Sequence, residues 1–123
     1  MGRLKEIVFD CRRAASLARF WAALLEDYAV RAYDDAEIAR LAGLGLTPET
    51  DPVVMVDGPG PTLCFHEIER GRVQGRIHLD VAVTDRAAER SRAMELGASI
   101  VREADGYTVL ADPEGNHFCL VGA

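Results

Sequence analysis

The amino-acid sequence predicts an α+β fold made of two β-α-β-β-β modules. Short β-type runs and amphipathic helical spacing follow one another in the same order in both halves of the chain. The segment DGPGPTLCF, which begins at Asp57, aligns without a gap with DPEGNHFCL, which begins at Asp112. This alignment places Cys64 opposite Cys119. A hydrophobic content of 49% in 123 residues is enough for a core, so one folded domain is expected.

The first module is expected over residues 4–68. Residues 5–11 (KEIVFDC) alternate in polarity, which is typical of a strand. Residues 12–26 change to helical spacing, and residues 28–33, 52–56 and 62–68 are predicted to be strands. The Gly- and Pro-rich residues 57–61 form the turn between the last two strands. Five large apolar side chains form the predicted buried stripe of the helix: Leu17, Phe20, Trp21, Leu24 and Leu25.

The second module is expected over residues 76–122. It begins with a strand over 76–83 (RIHLDVAV) and continues with a helix over 85–96. We expect Thr84 to cap the start of this helix and Gly97 to end it in a left-handed conformation. Strands are predicted over 99–103, 107–111 and 117–121, with a turn over 112–115. The predicted inner face of the helix carries Ala87, Ser91 and Met94.

An insertion over residues 34–51 interrupts the first module. Its centre, residues 36–41, is predicted to be a short helix, which Gly43, Gly45 and Pro48 end. The insertion is either a surface elaboration or a lid over a pocket. We favour the surface elaboration, because the segment carries no reactive group.

Strand alternation separates an apolar face from a polar face. The apolar face should pack under the helices and carries Ile7, Phe9, Leu63, Phe65, Ile77, Leu79, Val81, Val83, Phe118 and Leu120. The opposite face holds all three histidines and two of the three cysteines; its members are Glu6, Val8, Asp10, Thr62, Cys64, His66, His78, Asp80, Ala82, His117, Cys119 and Val121. Such a face is either turned to water or lines a ligand pocket.

Composition excludes several classes of partner. A formal charge of −6 and a pI near 5.0 argue against general binding to nucleic acid or anionic membranes. No segment approaches the roughly 20 apolar residues of a membrane span. Three cysteines, an odd number, without a secretory signal fit reduced thiols, so a cytoplasmic protein is expected.

Several motifs give the chain a family resemblance. They are Phe20-Trp21 followed by Leu24-Leu25, VQGRIHLDVAV from Val73, ELGA from Glu95, and VLADPEGNHFCL from Val109. With these motifs the chain resembles the vicinal oxygen chelate superfamily, and within it the small glyoxalase-like and bleomycin-resistance-like proteins. The resemblance implies a curved mixed sheet that forms a half-barrel cup, helices on its convex side, and a homodimer.

The resemblance also implies where a metal would bind. The four family ligand positions fall on Glu6, Cys64, His78 and Cys119 of this sequence. One divalent metal would suit them, and zinc is the most compatible with two thiolates, an imidazole and a carboxylate. Cysteine also packs as a small hydrophobe, and the absence of a metal is the favoured interpretation of the four positions.

The candidate catalytic residues are His78 and Glu6. Four further polar side chains are candidate ligand-binding residues, and two of these, both histidines, could also act as general bases: Asp10, His66, Asp80 and His117. Asp10 has a second interpretation as the cap of the first helix, and Cys11 is expected to be structural.

Three functions follow from this interpretation. The first is a metal-dependent lyase, isomerase or dioxygenase that acts on a small molecule. The second is a metal-free protein that sequesters a ligand, as bleomycin-resistance proteins do. The third is an accessory or regulatory domain with a vestigial pocket.

Overall fold

The computed structural model describes residues 1–68 and 77–123. Within them the chain forms eight strands and three helices, in the order β1 (Arg3–Cys11), α1 (Ala14–Leu24), β2 (Ala29–Val30), α2 (Asp35–Gly43), β3 (Val53–Asp57), β4 (Thr62–Glu67), β5 (Ile77–Ala82), α3 (Arg86–Glu95), β6 (Ser99–Ala104), β7 (Tyr107–Ala111) and β8 (His117–Val121). The predicted α+β class and the repeated β-α-β-β-β order are confirmed, with α2 as the insertion. Residues 73–76, the start of one family motif, lie outside the described part.

The chain divides into two compact units. One is Val8–Arg76, and the other joins Met1–Ile7 to Ile77–Ala123, so β1 contributes residues to both. None of the helices in the described ranges is long and apolar enough to cross a membrane.

In the unit Val8–Arg76 the strand order is β2-β3-β4-β1. The pairs β2/β3 and β3/β4 are antiparallel, and Met55 lies opposite Cys64. The helix α1 packs on β2, β3 and β4. The buried centre contains Val54, Val56 and Phe65, and the Phe65 ring stacks on Phe9 with 4.9 Å between the centroids. Aromatic stacking of this kind adds to the stabilisation that burial alone provides.

The buried side of α1 differs from the prediction. Phe20 and Leu24 are 56% and 62% exposed, whereas Ala14, Ala15 and Ala18 are buried. Small side chains let a helix approach its sheet closely, so burial here follows the alanines and not the largest apolar residues. The predicted stripe is therefore wrong at Phe20 and Leu24, whereas its other three members are half-buried: Leu17, Trp21 and Leu25.

The start of α1 is also capped differently. The N-cap residue is Arg13, and its side chain makes no capping bond. The Glu67 carboxylate accepts a 3.0 Å hydrogen bond from the backbone N–H of Ala14 instead. The alternative interpretation of Asp10 as the cap is therefore wrong. A carboxylate from β4 satisfies the helix terminus, and local sequence cannot reveal such a distant partner.

In the other unit the strand order is β1-β5-β8-β7-β6. The pair β5/β8 is parallel, whereas β6, β7 and β8 pair antiparallel. Val83, Leu110 and Leu120 form the buried core of this unit. Gly97 follows α3 with φ at +112°, which confirms the predicted glycine helix end.

Two predictions for α3 are wrong. Asp85, and not Thr84, is the N-cap, and its side chain accepts a 3.1 Å bond from Ala88 N–H. The predicted inner face of Ala87, Ser91 and Met94 is not buried. Arginine side chains occupy part of the inward side, because Arg86 reaches the carbonyl of Ala104 and Arg90 pairs with Glu103. An apolar count cannot detect packing by arginine stems.

The predicted apolar face fails at the start of β5. Ile77 and Leu79 are 56% and 42% exposed, while Glu6 on the polar face is 7% exposed. The cause is the position of α3, which packs on β6, β7 and β8. Alternation assigns residues to a face correctly, but it does not say which part of the face a helix covers.

Candidate functional site

A cluster of His78, Asp80 and Cys119 lies on one face of the unit that contains β5 and β8. His78 and Asp80 are two residues apart on β5, so their side chains point the same way. Cys119 is the direct partner of Asp80 in the parallel pair β5/β8. The ligand atoms of the three side chains all lie within 4.8 Å of one another. The strand register therefore assembles the cluster.

Glu6 of β1 interacts with this cluster. His78 Nε2 lies 3.4 Å from Asp80 Oδ1, and Asp80 and Cys119 both raise the pKa of the imidazole. Glu6 is buried and helps to lower the pKa of Asp80. The side chains of His78 and Asp80 are 25% and 15% exposed, so a small molecule or ion can reach the cluster.

The surroundings shift the titration of the imidazole strongly. Hydrogen bonds to Asp80 and then to Cys119 raise the pKa of His78 to about 10, although burial opposes the shift. Burial would raise the pKa of Asp80, but its hydrogen bonds with His78 and Glu6 lower it. An imidazolium and a carboxylate therefore stabilise each other in this cluster.

We expect the metal-free protein to lose the stabilising contribution of His78 as the pH rises. The pKa of about 10 exceeds the ordinary value of 6.5, so the folded chain binds this proton more tightly than the unfolded chain. The contribution is complete below about pH 6.5 and disappears as the pH approaches 10. NMR titration of the imidazole in the presence of EDTA measures the shift. Asp80→Asn should lower the pKa, and an ordinary pKa in the native chain would contradict the geometry.

The donor set fits a divalent metal. It offers one imidazole nitrogen, one carboxylate oxygen and one thiol sulfur, a combination that zinc accepts in tetrahedral geometry. Three of the four family positions, Glu6, His78 and Cys119, belong to this unit. Asp80 joins them, although the resemblance assigns it no metal. A metal would need the neutral imidazole and the thiolate, so it would compete with the proton of His78.

Of the other four predicted site residues, only His117 belongs to the same unit as the cluster. Cys64 is buried opposite Met55 in the unit Val8–Arg76. In that unit His66 is exposed and Asp10 is half-buried. His117 is half-buried at the start of β8, on the same side of the strand as Cys119. The cluster within one unit therefore contains Glu6, His78, Asp80 and Cys119.

Cys11 has the structural role that was expected. Its thiol donates to the backbone carbonyl of His66 across 3.7 Å, and burial followed by the nearby Glu67 raises its pKa. A raised thiol pKa leaves little thiolate at neutral pH, so Cys11 is a poor nucleophile.

Comparison with known proteins places the fold. No curated protein sequence matches the chain significantly. A glyoxalase/bleomycin resistance protein/dioxygenase superfamily member from Vibrio splendidus 12B01 has a TM-score of 0.56 at 13% identity, with 100% of both chains covered. A hypothetical protein from Bacillus halodurans C-125 has a TM-score of 0.62 at 13% identity, over 99% of this chain and 94% of that one.

A larger enzyme contains a similar fold. The halotolerant catechol dioxygenase BphC has a TM-score of 0.53 at 14% identity, over 98% of this chain and 39% of its own. These identities are low, so the likeness concerns the fold alone. The family model of the glyoxalase-like domain matches residues 6–121, almost the whole sequence. The chain therefore belongs to the glyoxalase-like domain family.

Proposed function

We propose that the protein is a metal-dependent enzyme that acts on a small oxygen-bearing molecule, with His78, Asp80 and Cys119 as the metal ligands. The observation that supports this proposal is the convergence of three chemically different ligand atoms within 4.8 Å. A clustered set of titratable groups with a strongly shifted pKa is typical of a functional site.

The ligand chemistry favours a lyase or an isomerase over a dioxygenase. Non-haem iron oxygenases use two histidines and one carboxylate, whereas this cluster offers one histidine, a carboxylate and a thiol. A bound zinc ion would polarise a carbonyl or enolate oxygen of the substrate. The likeness to a catechol dioxygenase is one of fold, and it does not outweigh this difference in the ligand atoms.

Glu6 is the proposed proton carrier. Glu6 helps to lower the pKa of Asp80, which is the effect of a neighbour that donates a hydrogen bond to the carboxylate. Glu6 is buried and adjacent to the cluster, so it can hold a proton beside a bound substrate and exchange it through Asp80. We therefore propose Glu6 as the acid–base group and His78 as a metal ligand.

Zinc content tests the proposal. Protein purified without a metal-affinity tag should contain close to one zinc ion per chain, measured by mass spectrometry of the elements. His78→Ala should remove the zinc because it deletes the nitrogen ligand. The matched control is His66→Ala, which replaces an exposed histidine of the other unit and should leave zinc content unchanged. Absence of zinc, with no binding of added zinc, would refute the metal proposal.

A metal-free ligand-binding protein is the second candidate. In the described residues no buried side-chain nitrogen or oxygen lacks a hydrogen-bond partner, so no fully buried polar atom there requires an ion. Such a protein would bind its ligand equally well with and without EDTA. The zinc measurement therefore separates the two candidates.

A further inference from the structure

A cavity of about 690 Å³ lies within the unit Val8–Arg76, between the insertion and β3. Its size is in the range of sites for drug-sized molecules. Leu41, Leu44, Leu46 and Met55 supply apolar lining, and Tyr33 and Asp51 supply polar lining. Leu41 of α2 is only 1% exposed, so the insertion is anchored to the unit by a buried side chain.

The cavity lies on the side of β3 that α1 does not cover. Val54 and Val56 are buried on the side of α1, and Val53 and Met55 alternate with them and line the cavity. Met55 pairs with Cys64, which lies on the predicted polar face. The insertion thus covers part of that face at β3. The insertion and β3 therefore form two walls of the same cavity.

One buried carboxylate faces this cavity. Asp51 is 5% exposed, and its two oxygens accept hydrogen bonds from Tyr33 Oη at 2.9 Å and from the backbone N–H of Val53 at 3.0 Å. Both donors are neutral. A carboxylate has about four acceptor positions, so two of them remain for a further donor.

The cations of the lining are engaged with other acids. Arg31 makes a two-pronged ion pair with Asp57 at 2.7 and 2.8 Å. Arg40 pairs with Glu37 at 2.6 Å. The charge of Asp51 also raises the pKa of Arg40, but it is the smallest of the causes that shift this pKa. Over residues 1–68 and 77–123, no lysine or arginine forms an ion pair with Asp51. Two lining carboxylates therefore remain without a cation: Asp34, which is exposed and caps α2, and Asp51, which is buried.

Burial of a carboxylate without a cation is costly, and a positively charged ligand would offset that cost. Burial and the hydrogen bond to Asp51 raise the pKa of Tyr33 to about 12, so the phenol keeps its proton and holds the carboxylate in place. The surrounding apolar side chains would contact the uncharged part of the same ligand.

We propose that this cavity binds an organic cation, an ammonium group on an apolar body, with Asp51 receiving the positive charge. The inference goes beyond the proposed metal function, because it uses different residues and requires no metal. The two proposals can therefore fail separately, and EDTA is present in every binding experiment that tests the cavity.

The first experiment uses three phenyl-bearing probes of similar size and different charge. They are 2-phenylethylamine, 2-phenylethanol and phenylacetate, each titrated into the whole chain by calorimetry. We expect the amine to bind at least about ten-fold more tightly than the alcohol, because a charged hydrogen bond exceeds a neutral one. Phenylacetate should not bind. Equal binding of the amine and the alcohol would overturn the proposal.

The second experiment locates the binding. Asp51→Asn keeps the shape of the side chain and should weaken amine binding about ten- to a hundred-fold. Its matched control is Asp105→Asn, which changes the net charge equally at an exposed turn of the other unit. Unchanged binding in Asp51→Asn, or equal weakening in both variants, would contradict the assignment.

Two further readouts keep the test decisive if Asp51→Asn does not fold. Ala36→Trp fills the cavity from the exposed surface of α2 and should abolish amine binding while the circular dichroism spectrum is retained. In protein with labelled methionine methyl groups, the amine should shift the Met55 signal and leave that of Met94 unchanged. A shift at Met94 alone would place the ligand elsewhere and refute the proposal.

Discussion

Phe65→Ala is expected to lower the free energy of unfolding by about 3 to 5 kcal/mol. Phe65 is completely buried, and its ring stacks on Phe9 at 4.9 Å. Truncation removes the contacts of a whole aromatic ring and leaves a cavity that the surrounding strands fill only in part. Equilibrium unfolding in urea, followed by circular dichroism, measures the loss.

The matched control is Phe20→Ala on α1. Phe20 is 56% exposed and makes an edge contact with Trp21 at 5.4 Å. We expect a loss below about 1 kcal/mol, since most of this ring is already in contact with solvent. The comparison tests the corrected helix face, because the sequence alone placed Phe20 on the buried stripe. Equal losses of unfolding free energy in the two variants would indicate that Phe20 is buried, as the sequence predicted.

Gly122→Ala is expected to destabilise the other unit by about 2 to 6 kcal/mol. Gly122 has φ at +144°, and an added Cβ would clash with the carbonyl oxygen of Val83. The backbone there cannot move freely, because Val83 N–H donates to the carbonyl of Val121 and Gly122 N–H donates to that of Gly106. The same unfolding measurement applies.

Gly115→Ala separates backbone strain from the steric clash. Gly115 also has a positive φ, +88°, but nothing lies within 4 Å of an added Cβ. Its cost should therefore be limited to the backbone, about 1 to 2 kcal/mol. If Gly115→Ala were as damaging as Gly122→Ala, the close approach to Val83 would not be the cause.

Much of the fold could be predicted because strand alternation and turn residues are local features of the sequence. The strands β7 and β8 have the predicted bounds, and the turn after β7 is held by the Asp112 side chain, which accepts from Glu114 N–H and Asn116 N–H. The helix faces could not be predicted equally well. They depend on how closely a helix approaches its sheet, as the buried Ala14 and Ala18 show.

The candidate site was predictable only in part. Alternation places His78 and Asp80 on one side of β5, but it does not establish which strand lies beside them. The parallel register that sets Cys119 against Asp80 is a long-range property. Asp51 was missed for a similar reason, because its burial depends on how the insertion folds over β3.

The division of β1 between two units has a consequence for protein synthesis. Residues 1–7 belong with Ile77–Ala123, so this part of β1 emerges from the ribosome about 70 residues before its partners. At 5 to 20 residues per second this interval lasts roughly 4 to 14 s. The segment Val8–Arg76 can fold during that time. The first seven residues meanwhile lack β5, their neighbour within the same unit, and this open strand edge is exposed to wrong pairing or to a chaperone.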